Sequence, residues 1–89
     1  MVFPHQSILE FEYHDARRAS AIADSVALEI GEIDDDRSRT TISTDGQTVT
    51  VRVNARDLTA LRAASNTWST LVDVAETTYR LGGKPRKGT

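Results

Sequence analysis

The segment Leu58–Leu81, LTALRAASNTWSTLVDVAETTYRL, contains neither Gly nor Pro, and its apolar residues recur every three or four positions. This pattern predicts one continuous amphipathic helix. At 1.5 Å per residue the helix is about 36 Å long, whereas a strand of six or seven residues spans only about 20 Å. A chain of 89 residues thus carries a helix longer than its own sheet needs, and we expect a second surface to cover part of it.

This predicted helix has two chemically distinct faces and ends at Gly82-Gly83. The apolar face consists of Leu58, Leu61, Ala64, Trp68, Leu71, Val72, Ala75 and Tyr79. The polar face consists of Thr59, Arg62, Asn66, Ser69, Asp73, Glu76 and Arg80. The only tryptophan of the chain lies on the apolar face, which favours a role in the core over the other common role of Trp, that of an interface anchor.

Three other segments predict the remaining elements. SILEFEY, residues 7–13, alternates apolar and acidic side chains as a half-buried strand does. DARRASAIADSVALEIG, residues 15–31, carries one apolar helical stripe, with Asp15 as N-cap and Gly31 as the end. RTTISTDGQTVTVRVN predicts a hairpin whose strands, 40–44 and 48–54, flank an Asp45-Gly46 turn, and EIDDDRS before it predicts a polar loop.

The predicted order of elements is therefore β-α-β-β-α, an α+β fold. Its simplest form is a three-stranded antiparallel sheet with two helices packed on one face. We expect a single domain over residues 1–83 and a flexible basic tail over residues 84–89. The predicted core consists of Leu9, Phe11, Ile22, Val26, Val51, Leu61, Trp68 and Val72.

Composition and charge argue against several classes of protein. The chain has no Cys, so no disulfide or Cys-based metal site is expected. It has no apolar run long enough to span a membrane, and MVFPHQSILEFEY lacks the basic n-region of a secretory signal. We therefore expect a cytoplasmic protein. Small domains without disulfides often oligomerise, and this fold offers a sheet edge and the polar sheet face as alternative contact surfaces.

No recognisable catalytic or cofactor motif is present, so no catalytic residue, cofactor or metal ion is predicted. His5 and His14 lack partners at ligand spacing. The run Asp34-Asp35-Asp36 lacks the spaced ligands of a calcium loop. No Gly-rich phosphate loop precedes a helix, and no pair of nucleophile and base is apparent.

Nucleic-acid binding is a better candidate than catalysis, although the net charge is −2. The GXXG loop of a KH domain and the exposed strand aromatics of an RRM are both absent. What remains is backbone attraction, which binds phosphates without reading sequence. The candidate nucleic-acid-binding residues, chosen by charge alone, are Arg37, Arg39, Arg52, Lys84, Arg86 and Lys87. One open alternative is therefore an independent RNA- or DNA-binding module that uses the hairpin arginines and the basic tail.

The stretch VNARDLTALRAASNTWSTLVDVAE resembles the signature of a known family, the small dimerising subunit of the KEOPS complex of archaea and eukaryotes. The resemblance also includes FEYHDARRASAIADSVALE and covers about Ile8 to Tyr79, without the tail beyond Gly83. The matching positions in the long helix are Asp57, Leu61, Arg62, Ala63, Asn66, Thr67, Trp68, Leu71 and Val72.

The resemblance implies the β-α-β-β-α fold and a non-enzymatic role. In KEOPS the catalytic subunit, a metal- and nucleotide-binding protein of the ASKHA superfamily, transfers a threonylcarbamoyl group to N6 of adenosine 37 in tRNAs that read ANN codons. The small subunit binds N-terminal helices of the catalytic subunit through its own two helices, its homodimer bridges two complexes, and it assists tRNA binding. The outward helix residues are the partner-binding candidates: Arg18, Asp24, Arg62, Asn66, Ser69 and Asp73. By charge alone, the tRNA contact is expected at Arg37, Arg39, Arg52, Lys84, Arg86 and Lys87. Because the chain is net acidic, we expect tRNA to bind a surface shared with the catalytic subunit.

Overall fold

The computed structural model describes residues 3–82 and confirms the predicted α+β fold and the order of its main elements. Three strands form one antiparallel sheet, two long helices cover one of its faces, and a short additional helix precedes the hairpin. The elements are β1 (His5–Glu12), α1 (Ala16–Ala27), α2 (Ile30–Ile33), β2 (Ser38–Asp45), β3 (Thr48–Ala55) and α3 (Leu58–Arg80).

The sheet has the strand order β1-β3-β2, so the last strand of the chain is central and the other two are edges. Leu9 of β1 and Ile42 of β2 both lie opposite Val51 of β3, which places these apolar side chains on the inner face. The central strand alternates in the same way, because Val49, Val51 and Val53 are fully buried whereas Arg52 is exposed. The outer face therefore carries mainly polar side chains, as the sequence predicts, with Ile8 as an exposed apolar exception.

The core lies between this inner face and the two long helices. Trp68 of α3 is fully buried, and its indole Nε1 donates a hydrogen bond of 2.9 Å to the Thr40 hydroxyl on β2. Because a buried indole N–H needs an acceptor, this bond fixes where α3 crosses the sheet. Of the predicted core residues, Ile22, Val26, Val51, Trp68 and Val72 are buried, while Leu9, Phe11 and Leu61 are partly buried and pack against them.

Both long helices begin with an aspartate cap. The Asp15 carboxylate accepts a hydrogen bond of 2.7 Å from the Arg18 amide, and the Asp57 carboxylate accepts one of 2.7 Å from the Ala60 amide. Each bond satisfies one of the free amides of a first helical turn. At the other end of α3, Gly82 has φ +82, the left-handed conformation that ends many helices.

Two predicted boundaries are wrong. The first helix ends at Ala27 instead of near Gly31, because Glu29 donates its amide to Val26 and the chain turns into α2, where Ile30 and Ile33 pack against the core. The hairpin turn is Gly46-Gln47, since Asp45 pairs with Thr48 as the last residue of β2. Only the glycine has positive φ (+60), which matches a type II′ turn.

Two further predictions about α3 need correction. Leu58, assigned to its apolar face, is 59% exposed because it lies in the first helical turn, beyond the core. The strands are eight residues long, or about 27 Å, so α3 exceeds its sheet by less than the sequence suggested. The outer side of α3 is therefore uncovered along the whole helix, whereas the ends of α3 extend only slightly beyond the sheet.

Candidate functional site

The outer side of α3 presents a polar row made of Arg62, Asn66, Ser69 and Asp73. These side chains are spaced by four, three and four residues, which places them on one side of a helix, and all four are exposed. The side-chain hydrogen bonds and the ion pair found within residues 3–82 involve none of them. Arg62 and Asn66 therefore do not anchor a loop of the fold, and the row is available to a partner.

An apolar flank runs along α3 beside this row. It consists of Ala63, Thr67, Thr70 and Val74, all exposed, with Val74 at 56%. The Thr67 hydroxyl donates to the Ala63 carbonyl at 3.0 Å, and the Thr70 hydroxyl donates to the Asn66 carbonyl at 3.1 Å. Because the helix itself satisfies both hydroxyl donors, the flank presents mainly methyl groups. Small side chains of this kind let another helix approach closely.

The two predicted partner-binding residues of α1 lie in different surroundings. Asp24 is exposed and lines a groove of about 230 Å³ between α1 and β2. Arg18 does not point outward as predicted. It is half-buried, its guanidinium carbon lies 5.0 Å from the centre of the Tyr79 ring, and its Nε is buried without a hydrogen-bond partner within the described residues. Arg18 therefore contributes to the junction of α1 with α3 by a cation–π contact.

Next to this junction, the end of β1 is tied to α3 by a hydrogen bond that sequence reasoning missed. The Tyr13 hydroxyl donates to Oε2 of Glu76 at 2.6 Å. Burial raises the pKa of Tyr13 above its usual value, and the hydrogen bond to Glu76 and the charge of Glu76 raise it further. Tyr13 therefore stays protonated and remains a donor. The two residues are 63 positions apart, and no local pattern indicates their pairing.

Of the three candidate arginines in the described residues, Arg37 and Arg39 lie near one end of the sheet and Arg52 lies near its middle. Arg52 is exposed on the outer face of β3, opposite Ile8 on one side and Thr41 on the other. Arg39 is exposed one step further along β2, and Arg37 is exposed just before that strand. Lys84, Arg86 and Lys87 lie outside the described residues.

The loop before β2 positions two of these arginines. The Asp35 carboxylate accepts hydrogen bonds from the Arg37 and Ser38 amides at 2.7 and 3.1 Å, and the Arg39 guanidinium donates to the Asp35 carbonyl. The bond from the Arg37 amide is the main cause that holds the pKa of Asp35 below its usual value. The guanidinium of Arg39 also lies 5.6 Å from the centre of the Phe3 ring, so this arginine has a defined position.

The opposite end of the outer sheet face is acidic. Glu10 and Glu12 of β1 lie there, and Asp45 of β2 lies on the same face opposite Thr48. The outer face thus changes from basic to acidic along the strands. A phosphate backbone would be attracted only by the arginine end, since the acidic end repels it.

Two kinds of feature are absent from the described residues. Within residues 3–82, no group of three His, Asp or Glu side chains is placed to hold a metal ion. The helices of this part of the chain are too short or too polar to cross a membrane.

Comparison with known proteins gives a family match and a structural match. The model of the family described as transcription factor Pcc1 matches residues 6–80. Among solved structures, a chain in the crystal structure of the binary complex Gon7–Pcc1 superimposes with a TM-score of 0.78 at 17% sequence identity, covering 90% of this chain and 98% of that chain. At such identity the likeness shows a shared fold. No curated protein sequence matches this chain.

Proposed function

The chain belongs to the Pcc1 family, and on this premise we propose that it is a non-catalytic subunit of the KEOPS complex. In this proposal it forms a homodimer, binds the catalytic threonylcarbamoyl transferase subunit through its helices and assists tRNA binding during N6-threonylcarbamoyladenosine modification. The family agrees with the resemblance of the α3 motif, which includes Asn66 and Trp68.

The observation that carries the proposal is the uncovered outer side of α3. It combines the polar row of Arg62, Asn66, Ser69 and Asp73 with the adjacent apolar flank, and neither is used to hold the fold together. Helix-in-groove recognition needs this combination, in which an apolar strip provides burial and polar neighbours set the register. The α1 residues contribute unequally, since Asp24 is exposed and Arg18 is already engaged with Tyr79.

The assistance to tRNA binding is placed on the arginine end of the sheet and on the basic tail. Arg37, Arg39 and Arg52 supply three neighbouring positive charges, while the chain as a whole has a net charge of −2. A surface of this kind attracts phosphates without reading bases. It therefore suits a shared tRNA surface completed by the catalytic subunit better than an independent one.

The partner is tested by size-exclusion chromatography with light scattering on the protein alone and mixed with the KEOPS catalytic subunit from the same source. We expect a stable complex that persists at high salt, because apolar burial is not screened. Asn66→Arg places a long charged side chain in the centre of the polar row and should abolish the complex. Thr41→Arg, on the outer sheet face, is the matched control and should leave it intact.

Two results would contradict the proposal. One is that the protein forms no complex with the catalytic subunit, and the other is that the Asn66→Arg variant still forms the complex. In the first case the chain is not this subunit. In the second case the partner uses another surface, and the helix proposal is wrong while family membership stands.

The alternative, an independent RNA- or DNA-binding module, is favoured only by the grouping of the arginines. We expect tRNA to bind weakly to the isolated protein and more tightly to the assembled complex. Arg52→Glu should reduce retention by the complex, and Arg17→Glu, an equal charge change on an exposed residue of α1, should not. Tight, strongly salt-dependent binding to the isolated protein would favour the alternative instead.

A further inference from the structure

A small pocket lies where the end of β1 and the start of α1 meet the last turns of α3. Its volume is about 170 Å³, and Arg18 and Arg80 line it together with Glu12 and Glu76. The ring of Tyr79 also lines it. The pocket therefore places two guanidinium groups beside two carboxylates, and these four side chains together carry no net charge.

The guanidinium of Arg18 is held in this pocket but lacks an acceptor. Its central carbon lies 5.0 Å from the centre of the Tyr79 ring, and this contact attracts the charge without supplying a lone pair to the N–H groups. The Nε atom is buried and has no hydrogen-bond partner within residues 3–82. Because a buried N–H without an acceptor is unfavourable and uncommon, Arg18 requires an acceptor from outside these residues.

The two carboxylates of the pocket do not provide this acceptor. Oε2 of Glu76 accepts from the Tyr13 hydroxyl at 2.6 Å. Within residues 3–82, neither Glu12 nor Glu76 comes close enough to Arg18 to form an ion pair. The buried donor therefore remains available to a ligand that enters the pocket.

The chemistry of the pocket favours a single carboxylate as that ligand. A guanidinium presents paired N–H donors that match the two oxygens of a carboxylate. A cavity of about 170 Å³ accepts the end of an Asp or Glu side chain but is smaller than the sites that hold nucleotides or cofactors. A phosphate monoester is less favourable, since Glu12 and Glu76 repel its second negative charge.

The position of the pocket indicates where the carboxylate comes from. Arg80 follows Asp73 of the polar row by seven residues, or about two helical turns, so it lies on the same side of α3, and it is exposed. The pocket therefore continues the outer side of α3, on which the catalytic subunit is proposed to bind. From Asn66 to Arg80 the helix rises about 21 Å, a distance that a partner helix spans in about four turns.

We propose that this pocket receives an Asp or Glu side chain of the catalytic subunit, whose carboxylate accepts a hydrogen bond from Nε of Arg18. Arg18 then fixes one end of the interface, while the apolar flank of α3 provides burial. The inference rests on the proposed function, because it names a contact within the complex proposed there.

The direct test is the Nε–Hε signal of Arg18 in NMR spectra of the isotope-labelled full chain, assigned through its loss in Arg18→Lys. When the unlabelled catalytic subunit is added, this signal should shift downfield and exchange more slowly with water, because the N–H acquires a charged acceptor. The corresponding signal of Arg17, an exposed neighbour on α1, is the control and should not change. If light scattering shows the complex and the Arg18 signal is unchanged, the pocket contact is wrong and the proposed function stands.

The affinity of the complex, measured by isothermal titration calorimetry, gives a second readout. Arg18→Gln should weaken the complex on the order of tenfold or more, because it leaves the partner's carboxylate unpaired. Arg18→Lys should restore only part of the affinity, since an ammonium lacks the planar fork. Arg17→Gln, the same charge change at the exposed neighbour, should leave the dissociation constant unchanged.

Urea denaturation of each variant separates binding from folding. A folded Arg18→Gln variant that binds with normal affinity overturns the pocket contact. If this variant does not fold, the NMR test on the unaltered chain decides the question.

Titration of the isolated chain with sodium acetate distinguishes a partner side chain from a free carboxylate, with sodium chloride at equal ionic strength as the control. We expect only a small shift of the Arg18 signal at millimolar acetate, because a free ion loses all of its translational freedom on binding. Saturation at micromolar acetate would assign the pocket to a small carboxylate and overturn the partner as its source. If no complex with the catalytic subunit forms, the proposed function and this inference fail together, whereas each of the other contrary results rejects only the inference.

Discussion

The inner and outer sides of α3 belong to one helix, but the inner side packs in the core and the outer side is exposed. The inner side carries Trp68 and Val72, which are almost fully buried, and a buried hydrogen bond that ties the helix to β2. The outer side carries exposed residues such as Asn66 and Val74, which contact no other element through hydrogen bonds or ion pairs within residues 3–82. The difference shows that folding uses only one side of this helix.

The comparison predicts that substitutions on the two sides separate stability from binding. A change on the inner side should lower the free energy of unfolding, because it creates a cavity or leaves a polar group unpaired. A change on the outer side should leave that free energy almost unchanged and affect only the partner complex.

The largest effect is expected for Trp68→Ala on the inner side. Removing a fully buried indole should lower the free energy of unfolding by about 3–5 kcal/mol, measured by urea denaturation. In a domain of this size the protein could then be largely unfolded. Near-native stability would mean that Trp68 is not the centre of the core. Thr59→Ala, on the exposed side of the same helix, is the control.

A smaller decrease in the free energy of unfolding is expected for Thr40→Val, which keeps the shape of the side chain but removes the acceptor for the Trp68 indole. The unpaired N–H should cost about 1–3 kcal/mol. Thr41→Val, the neighbouring exposed position on β2, should cost much less. Combining Thr40→Val with Trp68→Phe should recover part of the loss, and full additivity of the two changes would argue against the hydrogen bond.

Tyr13→Phe tests the hydrogen bond to Glu76, which lies at the boundary between the inner and outer sides of α3. Loss of the hydroxyl should lower the free energy of unfolding by about 1 kcal/mol, since the bond is partly exposed to water. Tyr79→Phe, whose ring packs under Arg18, serves as the control and should change stability less. If absorbance titration showed Tyr13 ionising at the usual pKa of tyrosine, the contact with Glu76 would be absent in solution.

The smallest effect on stability is expected for Asn66→Ala on the outer side, within about 0.5 kcal/mol. The same variant should weaken the complex with the catalytic subunit at least about tenfold if Asn66 is a central contact, measured by isothermal titration calorimetry. Ser43→Ala, on the outer sheet face, should change neither quantity. A large loss of stability in Asn66→Ala would break the separation between the two sides of α3.

Local patterns in the sequence predict most of this architecture. Alternation along β1 and β3, helical spacing in α1 and α3, and the Asp15 cap of α1 are properties of neighbouring residues, and the structure confirms them. The central polar positions of α3 are predictable for the same reason, because a helix of regular period places Arg62 and Asn66 opposite Trp68.

Contacts between distant residues follow from the tertiary structure alone. The bond from Tyr13 to Glu76, the packing of Arg18 on Tyr79 and the hydrogen bond from the Thr40 amide to Asp34 each depend on how separate elements pack. The expected end of the first helix at Gly31 was wrong for a related reason, since burying Ile30 and Ile33 favours a turn over a longer helix. Periodicity describes which side of an element is apolar, whereas only packing decides which neighbours meet there.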